Sequence, residues 1–254
     1  MRGDLRGDIA ASARRTAAVA RHQAVLLRRA PGQVIVYTVM AGVLTVFTEP
    51  MTRALPAVGV TAPAGARAAA GMLVFCSLFM AGVAGAAVVD ERGWRTAERL
   101  RSTPARPWEV LAGKALPLLG LLLAQQAIVL GTASVLYPTG FAAHWPRLLA
   151  VGAAWSGCVL GLGLLMAAAV TTSAQLSTAK DLTALLLSAT GGAVVPLAAL
   201  PTWIQPAAPY SPAYWAVSGY LGGSGPTLRW VALLVATGTL AFATAAHLDR
   251  PRQT

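Results

Sequence analysis

Between Asp90 and Glu109 the chain concentrates its ionic side chains, with four of its nine acidic residues and five arginines. The residues that stand out are Glu91, Arg92, Thr96, Glu98, Arg99, Leu100, Thr103 and Pro104. The segment is too short for a domain. Thr96 to Arg101 fits a short helix bounded by Pro104 and Pro107. Such a helix offers mixed charge together with Leu100 and Trp94, which suits docking in a groove of another protein; the alternative is a solvated loop with helix-end anchors.

Bond-making chemistry finds less support. The single Gly-Lys pair, Gly113-Lys114, has Trp108 where a phosphate-binding loop needs glycine and Ala115 where it needs Ser or Thr. Gly222-Gly223-Ser224-Gly225-Pro226 lacks lysine altogether. An intramembrane hydrolase would need more than Ser156-Gly157 and a distant His247, and Ala154 stands where a rhomboid-like site has glycine. Cys76 and Cys158 lie in apolar runs with no second ligand at metal spacing, so they read as buried small hydrophobes. No catalytic or metal-binding residues are expected. Gln125 and Gln126 are the main strongly polar pair inside an apolar run, suited to hydrogen bonding between helices or to contact with a passing substrate.

The elements that carry these residues follow from composition. Of 254 residues 56% are hydrophobic and 11% charged, with a mean hydropathy of +0.61, too little charge for the surface of a soluble fold. The net charge of +11 does not indicate nucleic acid, because the basic residues cluster between long uncharged stretches. A helix needs about 20 apolar residues to cross a bilayer. Six runs qualify as spans: Val34 to Thr48, Ala68 to Val89, Ala115 to Tyr137, Leu148 to Val170, Leu182 to Leu200 and Trp230 to Ala246. The first is short, and the fifth is interrupted by Gly191, Gly192 and Pro196. None alternates polar and apolar residues as a barrel strand does, so the expected class is all-α integral membrane. These spans hold no Asp, Glu, Lys or Arg, which argues against a proton relay.

With six crossings, sixteen of the twenty basic residues fall on one side, leaving only Arg53, Arg67, Arg147 and Arg229 on the other. By the bias of membrane proteins toward cytoplasmic Arg and Lys, both termini are expected inside. Residues 1–31 read as a basic amphipathic interfacial helix, 32–247 as one six-span membrane domain and 248–254 as a cytoplasmic tail. In the first segment Ile9, Ala13, Ala17, Ala20, Ala24 and Leu27 form one helical face, and Arg14, Arg21 and Arg28, with Arg15, His22 and Arg29, lie roughly opposite. Such a helix suits the anionic inner leaflet, weakly because its apolar face is mostly alanine; the alternative is a solvated basic arm that follows the cytoplasmic bias of Arg and Lys. About thirty largely polar residues before the first span do not resemble a cleavable leader.

Two stretches carry a family resemblance. Glu91-Arg92, Thr96-Ala97-Glu98-Arg99-Leu100, Ser102-Thr103-Pro104 and Gly113-Lys114 resemble the E-R-x-x-G-T-x-E-R-L-x-x-(S/T)-P pattern and following G-K of type-two ABC exporter permeases. Arg95 stands where glycine is usual, and Ala97 where a larger apolar residue is common. Gly191-Gly192 with Pro196, then Leu200-Pro201-Thr202-Trp203, then Pro212, Tyr214 and Trp215 resemble that family's G-G-x-x-x-P, L-P-x-W and P-x-x-Y/W elements. Arg29-Ala30-Pro31-Gly32-Gln33 is similar to an R-x-P-x-Q element of its daunorubicin and multidrug-resistance branch. The likeness runs over about residues 25 to 247.

The resemblance implies a permease in a bacterial cell membrane, paired with a second permease chain as a homodimer. Two copies of an ATPase subunit, holding ATP and magnesium, would drive it. It implies a coupling helix over Glu91 to Pro104 and short re-entrant helices between spans five and six. The cargo would be a hydrophobic or amphipathic compound such as a drug, antibiotic or lipid-like molecule. Exporters of cell-surface glycan precursors share the architecture and are the alternative; a membrane scaffold or intramembrane enzyme is the more distant one.

Overall fold

A computed structural model describes residues 2–29, 32–55, 62–93, 107–223 and 225–248. These residues form helices and connecting turns, with no strand among them. In chain order they are α1 (Arg2–Arg29), α2 (Gly32–Ala54), α3 (Ala64–Gly93), α4 (Pro107–Leu136), α5 (Trp145–Ala169), α6 (Ser173–Thr190), α7 (Pro212–Leu221) and α8 (Thr227–Leu248). Short 3-10 turns occupy Phe141–His144, Leu197–Ala199 and Gln205–Tyr210. Five stretches are long and apolar enough to cross a membrane: Gly32–Ala54, Ala64–Ala86, Ala112–Leu136, Phe141–Ala169 and Thr227–Leu248. Helix α6, which contains Lys180 and Asp181, is not among them.

Side-chain pairings fix how the helices run. Thr52 Oγ1 donates to Ala64 O at 3.1 Å while Tyr37 stacks on Phe79 at 5.4 Å, so α2 and α3 are antiparallel. Gly65 of α3 lies against Tyr137, just past the end of α4, so those two are antiparallel as well. Trp155 Nε1 donates to Ser77 Oγ at 2.6 Å and Gly163 packs on Ala81, so α5 runs parallel to α3. Along α3, Gly85, Gly82 and Gly71 meet Leu176, Lys180 and Ala193 in turn. Helix α6 and its exit therefore run antiparallel to α3 over about 21 Å of helix rise.

Helix α3 is the hub. Its Ala66, Ala69, Ala70, Leu73, Val74 and Cys76 are almost wholly buried. Between membrane helices, packing by small side chains and interhelical hydrogen bonds do what burial from water does in soluble proteins. The α5–α8 contact is built this way: a Cβ on Gly161 would sit 2.5 Å from Gly238 O.

Two expectations about boundaries are revised. The first apolar helix is longer than Val34 to Thr48; it continues to Ala54, with Glu49 and Arg53 held as an i,i+4 ion pair. The fifth does not occupy Leu182 to Leu200. It starts at Ser173, capped by Thr172, whose side chain accepts from Gln175 N at 3.2 Å. It stops at Thr190 because Gly192 turns left-handed at φ 72° and Ala193 N closes back on Ser188 O at 2.9 Å. The chain from 191 to 200 then proceeds through turns. In α1, Arg15, Thr16, Val19 and Gln23 turn toward the bundle together with Ala20, Ala24 and Leu27 of the apolar stripe, while Ala13 and Ala17 are exposed. The buried Glu109 carboxylate draws Arg15 inward.

Candidate functional site

Helix α4 opens with a carboxylate in its first turn, Glu109, where negative charge offsets the helix dipole. That side chain is 1% exposed, and both oxygens accept from Arg15 of α1 at 2.9 Å. One turn on, Gly113 lets α1 approach closely, through the Thr16 carbonyl and the Val19 side chain. Bidentate guanidinium–carboxylate geometry fixes orientation as well as distance, so α1 is clamped across the start of α4. At the same end, the backbone of α3 runs through Glu91 and Arg92 to Gly93. Thr96, Glu98, Arg99, Leu100, Thr103 and Pro104 lie outside the described residues.

Deeper in the bundle, Gln126 is fully engaged. Its Nε2 donates to Ser156 Oγ at 2.7 Å and to Gly152 O at 3.3 Å. Its Oε1 accepts from Tyr220 Oη at 2.9 Å. One residue therefore ties α4 to α5 and α7. Gln125 faces α2, where Nε2 reaches Tyr37 O only at 3.4 Å and Oε1 is buried without a donor.

After α6 the aromatic and proline-rich stretch folds over its end. Gly191 lies against Ala213 and the backbone of Tyr214, and Ser211 Oγ donates to Leu187 O at 3.0 Å. Pro196 precedes the short turn at Leu197–Ala199, and Pro212 occupies the first turn of α7. Trp215 Nε1 donates to Pro209 O at 2.6 Å, and Tyr214 meets the Trp230 ring edge-on at 5.9 Å. Pro201 and Trp203 are exposed. The ten residues of α7 rise about 15 Å, half a hydrocarbon core.

The profile of the ABC-2 type transporter family matches residues 9–223, from α1 to just past α7. The chain belongs to that family. Among curated proteins none matches it by sequence. An ABC-2 membrane domain is the permease part of an ABC transporter, lacks the ATPase site and works with an ABC ATPase subunit.

This ABC-2 permease also holds features that residue spacing did not reveal. Tyr220 is wholly buried and completes the Gln126 network from 94 residues away. Lys180 sits over the rings of Tyr37 and Phe79, 5.9 and 5.4 Å from their centroids, and pairs with Asp181 at 3.1 Å. A polar residue inside an apolar run signals a buried bond, but its partner on another helix leaves no mark in the sequence. Arg15 and Glu109 were visible as charges flanking spans; their distance of 94 residues hid the pair.

Proposed function

We propose that this ABC-2 permease crosses the membrane six times with both termini in the cytoplasm of a bacterium and exports a hydrophobic or amphipathic compound. The observation that carries the reading is the family match over 9–223 on a helical bundle in which α3 ends at Gly93 and α4 begins at the Arg15–Glu109 clamp. Six crossings are supported by α6, which follows α3 antiparallel from Gly85 to Gly71 although its own residues are less apolar. An even count puts the Glu91–Pro104 stretch on the side where sixteen of twenty basic residues cluster, which is where ATP is found. On this reading α7 and the turns before it are the re-entrant outer-leaflet elements.

Two ATPase copies, holding ATP and magnesium, would dock against Glu91, Arg92, Thr96, Glu98, Arg99, Leu100, Thr103 and Pro104. Nucleotide binding shifts the permease only if the ATPase grips one of its conformations more tightly than the other. Helix α2 shows Val36, Val39 and Phe47, 56%, 57% and 75% exposed, as an unbroken apolar face for lipid or for a second permease in a homodimer. The cargo path would run along that face. Gln125 is buried behind α2 and meets cargo only where α2 and α4 part; it fits that role better than Gln126, since its Oε1 has no donor while every group of Gln126 is engaged. Surfaces of Ala, Leu, Val and Gly suit a drug, antibiotic or lipid-like molecule better than a glycan.

The test is co-purification of the tagged chain with an ATPase subunit, followed by ATP hydrolysis in liposomes with and without amphiphilic drugs. A stable complex whose hydrolysis changes several-fold with the permease and its cargo is the expected result. Glu98→Arg should undock or uncouple the ATPase while the chain still inserts. Normal transport by that variant, or no complex with any ATPase, overturns the reading.

A further inference from the structure

At the end of the bundle away from α1, α5 and α8 begin side by side and run parallel. Gly219 of α7 touches both Val151 and Trp230, and further along Cys158 and Gly161 meet Gly238. Neither helix has an acidic residue in its first turn; each carries an arginine there, Arg147 and Arg229. A helix N-terminus bears partial positive charge, so a cation in its first turn is unfavourable, and two at adjacent N-termini compound the effect. Glu49 is the sole carboxylate placed by sequence at this end, and it is bonded to Arg53.

The donors at this point are under-used. Arg147 gives Nη2 to Tyr220 O at 3.3 Å and packs on Gly222, but its buried Nε has no acceptor. Trp230 is 4% exposed, and its buried Nε1 also has no acceptor. The Arg229 guanidinium lies over the Trp230 ring, 5.1 Å from its centroid. Both arginines and the indole thus gather around the last turn of α7, with positive charge in surplus and two N–H groups unspent. Leu149 and Leu228, 59% and 76% exposed, flank the position with apolar surface.

We propose that the paired first turns of α5 and α8 bind a phosphate-type oxyanion, the headgroup of an anionic amphiphile whose chains lie along Leu149 and Leu228. Arg147 and Arg229 supply the charge, and Trp230 Nε1 supplies a directed donor. A phosphodiester has acceptors enough for both kinds of donor, and a Trp at the boundary of apolar and aqueous phases suits a headgroup. The inference rests on the membrane-spanning reading and is independent of ATPase docking.

The test titrates the purified full-length chain in a zwitterionic detergent with dihexanoyl phosphatidylglycerol, dihexanoyl phosphatidylcholine and inorganic phosphate, followed by calorimetry. Phosphatidylglycerol is expected to bind saturably and about tenfold tighter than phosphatidylcholine, the effect of one good charged contact. Arg229→Gln, at an exposed position, should weaken it about tenfold. Trp230→Phe keeps the ring, loses the N–H and should weaken it several-fold. Arg53→Gln should leave the affinity as it is. Displacement by inorganic phosphate would assign the site to the oxyanion alone, and failure to displace would assign it to the headgroup with its chains. Equal affinity for the two lipids, or native affinity in both Arg229→Gln and Trp230→Phe, overturns the site.

Discussion

Two adjacent glutamines in α4 occupy opposite electrostatic situations. Gln126 satisfies Ser156, Gly152 and Tyr220, so Gln126→Leu leaves a buried phenol and hydroxyl without partners. Unpaired buried groups cost about 1–3 kcal/mol, while interhelical bonds in membranes average only about 0.6. The variant should lose about 1–2 kcal/mol, between those figures, read as a lower Tm in detergent. Gln125 has an unmatched oxygen and one long bond to Tyr37 O, so Gln125→Leu should leave Tm unchanged or raise it. Its mark should appear instead in the cargo dependence of ATP hydrolysis. Equal losses of Tm in the two variants would contradict this division. The pair was legible in the sequence because amides are rare in apolar runs; which of the two is satisfied depends on Tyr220 and Ser156, on other elements.

At the scale of elements, the clamp between α1 and α4 sets an ordering. Arg15→Ala strips a bidentate partner from a carboxylate that is 1% exposed, and removing one partner of a buried ion pair is destabilising. Glu109→Gln removes that charge together with its need for a partner. Hydrogen exchange in α1 should therefore rise more in Arg15→Ala than in Glu109→Gln, and the reverse order would show that the carboxylate is not the costly member. Glycines give a second contrast. Gly161 abuts the Gly238 carbonyl, whereas Gly120 has nothing within 4 Å of a would-be Cβ. Gly161→Leu should split α5 from α8 and abolish recovery of folded protein; Gly120→Leu should be tolerated. Helix existence was readable from apolar runs. The end of α6 at Thr190 was not, although Gly191-Gly192 was noticed as an interruption: a glycine pair inside an apolar run is compatible with a kinked span or with a terminus. The Ala193 N to Ser188 O closure decides for the terminus. The ion pair of Arg15 with Glu109 was hidden for a related reason, since its partner lies on another helix.

For the whole molecule, the proposal turns on the number of crossings, and α6 is the element that decides it. If α6 crosses, Thr103 lies on the side of the termini and Arg229 on the opposite side. If it does not, the chain after α6 is inverted: Arg229 joins the N-terminus, the C-terminus with Arg250 and Arg252 moves to the opposite side, and basic charge is less one-sided. Cysteine labelling separates the cases with little background, because Cys76 and Cys158 are wholly buried. Thr103→Cys should react with an impermeant maleimide only after the membrane is opened, and Arg229→Cys should react in intact cells. Arg229→Cys silent in intact cells would remove the sixth crossing. Thr103→Cys reacting from outside would have a larger consequence: ATP-driven closure does work on the permease only through contacts whose free energy differs between its two conformations, and a connection between α3 and α4 on the far side of the bilayer could make no such contact with the motor.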